Sequence, residues 1–238
     1  MSKTTKIIAA LGVVAGLGVA ALPAFTYATA SVDGDAEVIV EVASAISLSI
    51  AGNNDEATGY GKFFESNPAG AYTDANGLNT NTSSSIVQTV PNKIIEGNET
   101  SGAEGEGFLS TLTVNTNDTG GYSLSVKAAT SADVDLTSGS DTIPAIETAG
   151  SFTQGTAAWG IKTAADYSSS DQGAAAADIK NDKWYPVTTT NQTIRTAKTS
   201  ATGYTNEVSK VYYGVSTGTA QPTGTYQATL TYTATTAN

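Results

Sequence analysis

Glu207 to Asn238 reads EVSKVYYGVSTGTAQPTGTYQATLTYTATTAN, and its pattern decides the fold. Val211, Tyr213 and Val215 alternate with Tyr212, Gly214 and Ser216. Further on, Tyr226, Ala228, Leu230, Tyr232 and Ala234 alternate with Gln227, Thr229, Thr231 and Thr233. Side chains along a strand point to opposite faces with a period of two, so each run has one apolar face and one polar face. Between the runs, Gln221-Pro222-Thr223-Gly224 is turn chemistry: proline presets φ, and glycine takes conformations that other residues avoid. The stretch is expected to form a hairpin-like pair of strands that closes a β-sandwich.

The same period recurs upstream. Phe108 to Ala128 contains FLSTLTVNT, then NDTGG, then YSLSVKA. Phe108, Ser110, Leu112 and Val114 share one face of the first run, and Tyr122, Leu124 and Val126 lie together on the second. Asn117 to Gly121 tolerates positive φ, so a hairpin is expected here as well. In Asp35 to Ile50, Val38, Val40 and Val42 are in step with Ile46, Leu48 and Ile50; spacing of two excludes a helix. Shorter extended pieces are expected at Ala157–Lys162, Lys183–Val187 and Ile194–Thr196, with Ile143-Pro144-Ala145 as a stop or edge element. Gly173 to Lys180 is the one helical candidate. Residues 51–107 form a loop-rich insertion, with short strands expected at Lys62–Glu65 and Ser85–Val90. The fold class is therefore all-β: an antiparallel β-sandwich of Greek-key or immunoglobulin-like type with loop-rich insertions and at most a short helix. Thr-, Ser-, Gly- and Asn-rich composition also fits a disordered stalk, but disorder needs no period, and four separate segments have one.

Residues 1–30 have the layout of a secretory signal peptide: Lys3 and Lys6, an uncharged apolar run from Ile7 to Leu22, then Ala28-Thr29-Ala30 as a small-x-small cleavage site. An uncleaved anchor is the alternative; the run is shorter than the roughly 20 residues that span a bilayer, and Pro23 interrupts it. Residues 31–238 are expected to be a single secreted domain, extracellular or cell-surface associated, with no membrane insertion once the leader is gone. The sequence carries a net charge of −11. A leader with two lysines and no acid leaves −13 on the rest, which disfavours nucleic acid and anionic membrane surfaces.

The chain has no Cys and no His, which removes Ser/His/Asp and Cys/His catalysis and His-based zinc sites. A carboxylate-only glycosidase needs two converging acids. Glu37, Glu41, Glu96, Glu104 and Glu106 are candidates, but nothing in the sequence pairs them, so a non-enzymatic role is expected. No cofactor is expected. Asn53-Asn54-Asp55-Glu56 and Asn115, Asn117 and Asp118 offer hard oxygen ligands for Ca²⁺, yet neither set has EF-hand spacing, and Asx turns explain them too. Trp159 and Trp184 are either sugar-stacking platforms or core residues, and Trp184-Tyr185 beside Pro186 is the more exposed pair by pattern.

Two strings carry a resemblance. Leu112 to Val126, LTVNTNDTGGYSLSV, resembles the first signature region of WxL-domain cell-surface proteins of Gram-positive bacteria. Gly224 to Ala234, GTYQATLTYTA, resembles their C-terminal signature. Where that family has Trp-x-Leu, this chain has Tyr122-Ser123-Leu124 and Tyr232-Thr233-Ala234. The resemblance implies a secreted, anchorless β-rich domain that attaches non-covalently to the cell wall through peptidoglycan. Tyr122, Leu124, Tyr232, Trp184 and Tyr185 are the expected contacts to wall or glycan. The expected partners are a cell-wall polymer or other surface proteins. The alternative is a self-assembling pilin or surface-layer type subunit, and a carboxylate glycosidase ranks below both.

Overall fold

A computed structural model describes residues 45–52, 64–65, 72–73, 78–88, 92–99, 108–164 and 177–237. They belong to a compact unit, Ser44–Asn238. The described residues form thirteen strands. In chain order the first five are β1 (Ile46–Gly52), β2 (Phe64–Glu65), β3 (Tyr72–Thr73), β4 (Leu78–Gln88) and β5 (Ile94–Glu96). Next come β6 (Leu109–Thr116), β7 (Tyr122–Ala128), β8 (Leu136–Ser138), β9 (Asp141–Ile143) and β10 (Ala158–Thr163). The last three are β11 (Gln192–Thr196), β12 (Tyr204–Ser216) and β13 (Thr225–Thr236). A 3₁₀ turn at Ser131–Asp133, closed by a capping box between Thr130 and Asp133, is the helical element among the described residues.

Two antiparallel sheets result, and the fold is an all-β sandwich. Sheet A runs β1-β6-β12-β10, with β5 extending the β6 side of β12. Sheet B runs β11-β7-β13-β4-β2, with β3 also on β4 and the β8–β9 pair continuing beside β13. The apolar rows meet between the sheets. Val211, Tyr213 and Val215 of β12 are fully buried, as are Leu112 and Val114 of β6. From sheet B come Leu124 and Val126 of β7 and Tyr226, Leu230 and Tyr232 of β13. Each such side chain contributes about 1.5–3 kcal/mol by leaving water.

Both expected hairpins turn out to be arches. β6 lies in sheet A and β7 in sheet B, and the same holds for β12 and β13. Local turn chemistry shows that the chain reverses; it does not show whether the two runs then lie side by side or face each other across a core. The β6–β7 arch is tightly built. Thr116 Oγ1 accepts from Asp118 N (3.0 Å), Asp118 Oδ1 accepts from Gly120 N (2.6 Å), and Gly121 sits at φ +98°. A Cβ on Gly121 would stand 2.3 Å from the Ala197 carbonyl oxygen, so only glycine fits. In the β12–β13 arch, Gln221 Nε2 donates to Tyr226 Oη (2.7 Å), and that hydroxyl donates to the Pro222 carbonyl (2.9 Å).

Other differences follow from tertiary pairing. The expected piece at Ser85–Val90 is the end of the longer β4, which pairs with β13 from Leu78↔Thr235 to Gln88↔Thr225. LNTNTSSS has no apolar alternation to announce a strand; the open side of β13 supplies the ladder that it joins. Ile46 and Leu48 are buried as the alternation requires, whereas Val38, Val40 and Val42 lie outside the described residues. The helical candidate at Gly173–Lys180 is described only from Ala177, and that part is not helical; Ile179 there is fully buried.

Candidate binding surface

The aromatic positions singled out by the resemblance are interior. Tyr122, Leu124 and Tyr232 are each 0% exposed. Tyr122 meets Tyr204 edge-to-face, with ring centroids 5.3 Å apart. The Arg195 guanidinium lies 5.8 Å from the centre of the Tyr122 ring and pairs with Glu207 at 2.7 Å, tying β11 of sheet B to β12 of sheet A. These side chains pack the sandwich, and in this conformation they offer a polymer no surface. Trp159 is buried too, its Nε1 donating to the Val134 carbonyl (2.9 Å).

The expectation that Trp184 is exposed is corrected: it is 3% exposed. It lies on Gly214, the position of β12 that alternates with inward-facing Tyr213 and Val215. A Cβ there would be 2.9 Å from the Trp184 ring and 2.4 Å from Phe152. Phe152 packs against the indole at 5.2 Å, Lys162 Nζ sits 4.4 Å from its centre, and Trp184 Nε1 donates to Glu96 Oε1 (2.7 Å). Both the faces and the N–H of the indole are occupied by protein. Tyr185 is half-buried and donates its hydroxyl to Asp182 (2.8 Å). It is the one expected contact residue with appreciable exposed surface.

At the centre of the core, Tyr213 of β12 and Tyr232 of β13 join hydroxyl to hydroxyl, one from each sheet, with Ser110 of β6 beside them. Burial pushes both phenols well above the ordinary tyrosine range. Proximity to Tyr232 adds to the rise for Tyr213, while the neighbouring hydroxyls oppose it for Tyr232. This pair is a neutral hydrogen-bonded link between the sheets.

The oxygens considered for Ca²⁺ face the backbone. Asn115 Oδ1 accepts from Asn206 N (2.7 Å) at a bulge where Asn206 has φ +54°, Asn117 Oδ1 accepts from Ala45 N (2.7 Å), and Asp118 Oδ1 caps Gly120. Asn53–Glu56 lies outside the described residues, as do Glu37, Glu41, Glu104 and Glu106. Among the described residues no group of three His, Cys, Asp or Glu is placed to hold a metal ion.

The outer face of sheet B has a different character. Thr229, Thr231 and Thr235 are half-buried and alternate with the buried Leu230, Tyr232 and Ala234, so this row faces away from the core; Thr233, on the same row, is itself buried (8% exposed). Register sets Lys127 opposite Thr231, Ser125 opposite Thr233 and Ser123 opposite Thr235; Thr193 of β11 then falls opposite Ser125. The hydroxyl positions repeat about every 4.8 Å across the strands and about 7 Å along them. Strands β11, β7, β13 and β4 contain no Asp or Glu, in a chain with 22 acids. The Thr-x-Thr run of β13 was legible in the sequence; the neighbours that widen it into a face were not, because lateral pairing has no local signal.

Among the described residues no helix is long and apolar enough to cross a membrane. Comparison with protein-family models, with curated proteins and with solved structures found no match for this chain.

Proposed function

We propose that this chain is a secreted, non-catalytic cell-surface protein that associates non-covalently with a wall polymer of the peptidoglycan type, through the outer face of sheet B. One observation carries this reading: strands β11, β7, β13 and β4 give this face hydroxyls and Lys127 and no acid, while Glu65 of β2 falls at its margin and Asp133 and Asp178 are engaged by the Thr229 and Thr193 N–H groups. Such a face approaches a polyhydroxyl or anionic polymer without the repulsion that the rest of this acidic chain would meet. The WxL-like strings agree with it in an indirect way, since their aromatic residues pack beneath the sheet and leave contact to the polar side. The leader-like residues 1–30 and the absence of His and Cys support export and a role without nucleophilic catalysis.

Co-sedimentation with purified peptidoglycan tests it. Wild type is expected in the pellet. Lys127→Glu/Thr231→Glu, with both changes on the outer face, is expected to bind at least about tenfold more weakly, a loss of about 1.4 kcal/mol, while melting as wild type does. Wild type that stays in the supernatant at low salt would sink the wall-binding reading.

A further inference from the structure

A strand is held by its ladder and by the apolar row beneath it, and a segment poor in buried apolar contacts opens before the rest of the fold. Residues 189–203, which carry β11 and the link to β12, are such a segment. Their buried apolar side chains are Ile194 and the small Ala197. The shorter β13 buries Tyr226, Ala228, Leu230, Tyr232 and Ala234. The ladder of β11 to β7 is also interrupted. Thr193 stands opposite Ser125 and Arg195 opposite Leu124, which leaves Ile194 as the extra residue of a bulge. Polar contacts hold the segment instead: Thr193 N donates to Asp178 Oδ2 (2.7 Å), Ala197 N to the Tyr122 carbonyl (2.7 Å), and Ser200 N to the Thr119 carbonyl (2.8 Å).

One further contact crosses to the other sheet. The β11 bulge puts Arg195 on the same face as Leu124, where its guanidinium lies 5.8 Å from the centre of the Tyr122 ring. From there it donates to Glu207 Oε2 (2.7 Å) and to the Val208 carbonyl of β12 (3.3 Å). Glu207 is set by a bulge of its own, between Tyr204 and Glu207, where Asn206 has φ +54° and its N–H is held by Asn115 Oδ1 (2.7 Å). A bulge breaks a ladder and re-aims a side chain. Here two of them, one in each sheet, turn a cation and a carboxylate toward each other, and the pair is 12% and 33% exposed. Partial burial strengthens such a charged bond and limits its screening by salt.

We propose that residues 189–203 are a strap that opens as a unit while the two sheets stay folded, and that the Arg195–Glu207 pair is the latch that closes it. Opening parts the guanidinium from Glu207, separates β11 from the Ser123–Val126 stretch of β7 and uncovers the Tyr122 ring. At its two ends the strap meets firm anchors, the fully buried Val187 on one side and β12 on the other. This inference rests on the seam between the sheets and is independent of what the outer face of sheet B binds.

Native-state amide hydrogen exchange, followed by NMR, tests it in wild type, Glu207→Gln and Lys210→Gln. In wild type the Thr193 and Ala197 amides are expected to exchange at one common rate, at least about a hundredfold faster than those of Leu230 and Tyr232 in β13, which is paired on both sides. Glu207→Gln keeps the side-chain shape and removes the charge. It is expected to speed Thr193 and Ala197 at least about tenfold, because the charged bond is lost whenever the strap opens. Lys210→Gln breaks the ion pair of Lys210 with Glu99, which lies outside the strap, and is expected to leave both rates within about twofold. Strap amides that exchange no faster than Leu230 and Tyr232 in wild type would overturn the proposal. So would a Glu207→Gln variant with unchanged strap rates, or a Lys210→Gln variant that speeds them as much as Glu207→Gln does.

Discussion

Replacing Leu230 with Asp is expected to abolish the cooperative thermal melt at pH 7, while Thr231→Asp moves the midpoint by no more than a few degrees. Leu230 is fully buried in β13, between Tyr226 and Tyr232 on the core-facing row. A carboxylate there loses its hydration and gains no partner, which costs several kcal/mol in addition to the lost apolar burial. A domain of this size has a total stability of about 5–15 kcal/mol, so the change removes most or all of it. Thr231 is one residue away on the opposite face, half-buried and opposite Lys127. An Asp there is solvated and has a cation across the strand pair. Melts followed by circular dichroism separate the two variants, and equal destabilisation would mean that the register of β13 is wrong.

The second large effect concerns the tyrosine pair. Tyr213→Phe or Tyr232→Phe alone leaves the other hydroxyl in the core without its bond across the sheets, at a cost of about 1–3 kcal/mol. Tyr213→Phe/Tyr232→Phe removes both hydroxyls together and is expected to cost much less than the sum of the singles, so a double-mutant cycle by denaturant unfolding reads a coupling of about 1–3 kcal/mol. The same pair governs alkaline stability. Burial holds both phenols protonated above the pH, about 10, at which an unfolded tyrosine ionises. The native state therefore binds more protons than the unfolded state once pH exceeds about 10, and stability, complete below that pH, falls as pH rises toward the folded values. Tyrosinate absorbance of this pair, taken as wild type minus the double variant, is expected to appear only with loss of the near-UV circular dichroism signal. The double variant is expected to resist alkali better. Ionisation of both tyrosines near pH 10 in the folded protein would contradict the arrangement.

How much of this was legible in the sequence depends on whether the signal is local. Alternation in Val211–Val215, Tyr226–Ala234 and Tyr122–Val126 reports which side chains are inside, because a strand with one buried face must repeat every two residues. It does so whichever strand lies alongside, and so it reads as a hairpin what the fold makes into two arches. Asn117–Gly121 and Gln221–Gly224 are turns either way. β4 was nearly invisible because LNTNTSSS takes its strand conformation from β13, not from its own composition. The candidate site shows the same division. Tyr122 and Tyr232 read as contacts because they stand at the signature positions of the resemblance, and Trp184 because an exposed indole can stack on a sugar, but the first two pack the core and Gly214 leaves the space that seats Trp184 under Phe152 and Lys162. Only lateral register could reveal that the acid-free strands lie together.

The central claim is that each of these turns carries the chain from one sheet to the other, and backbone nuclear Overhauser contacts test it most directly. The account predicts interstrand contacts between Gly160 and Gly214, between Thr82 and Thr231, and between Lys127 and Thr231, and none between the backbones of β12 and β13. A ladder of backbone contacts joining Val211–Ser216 directly to Thr225–Leu230 would contradict it.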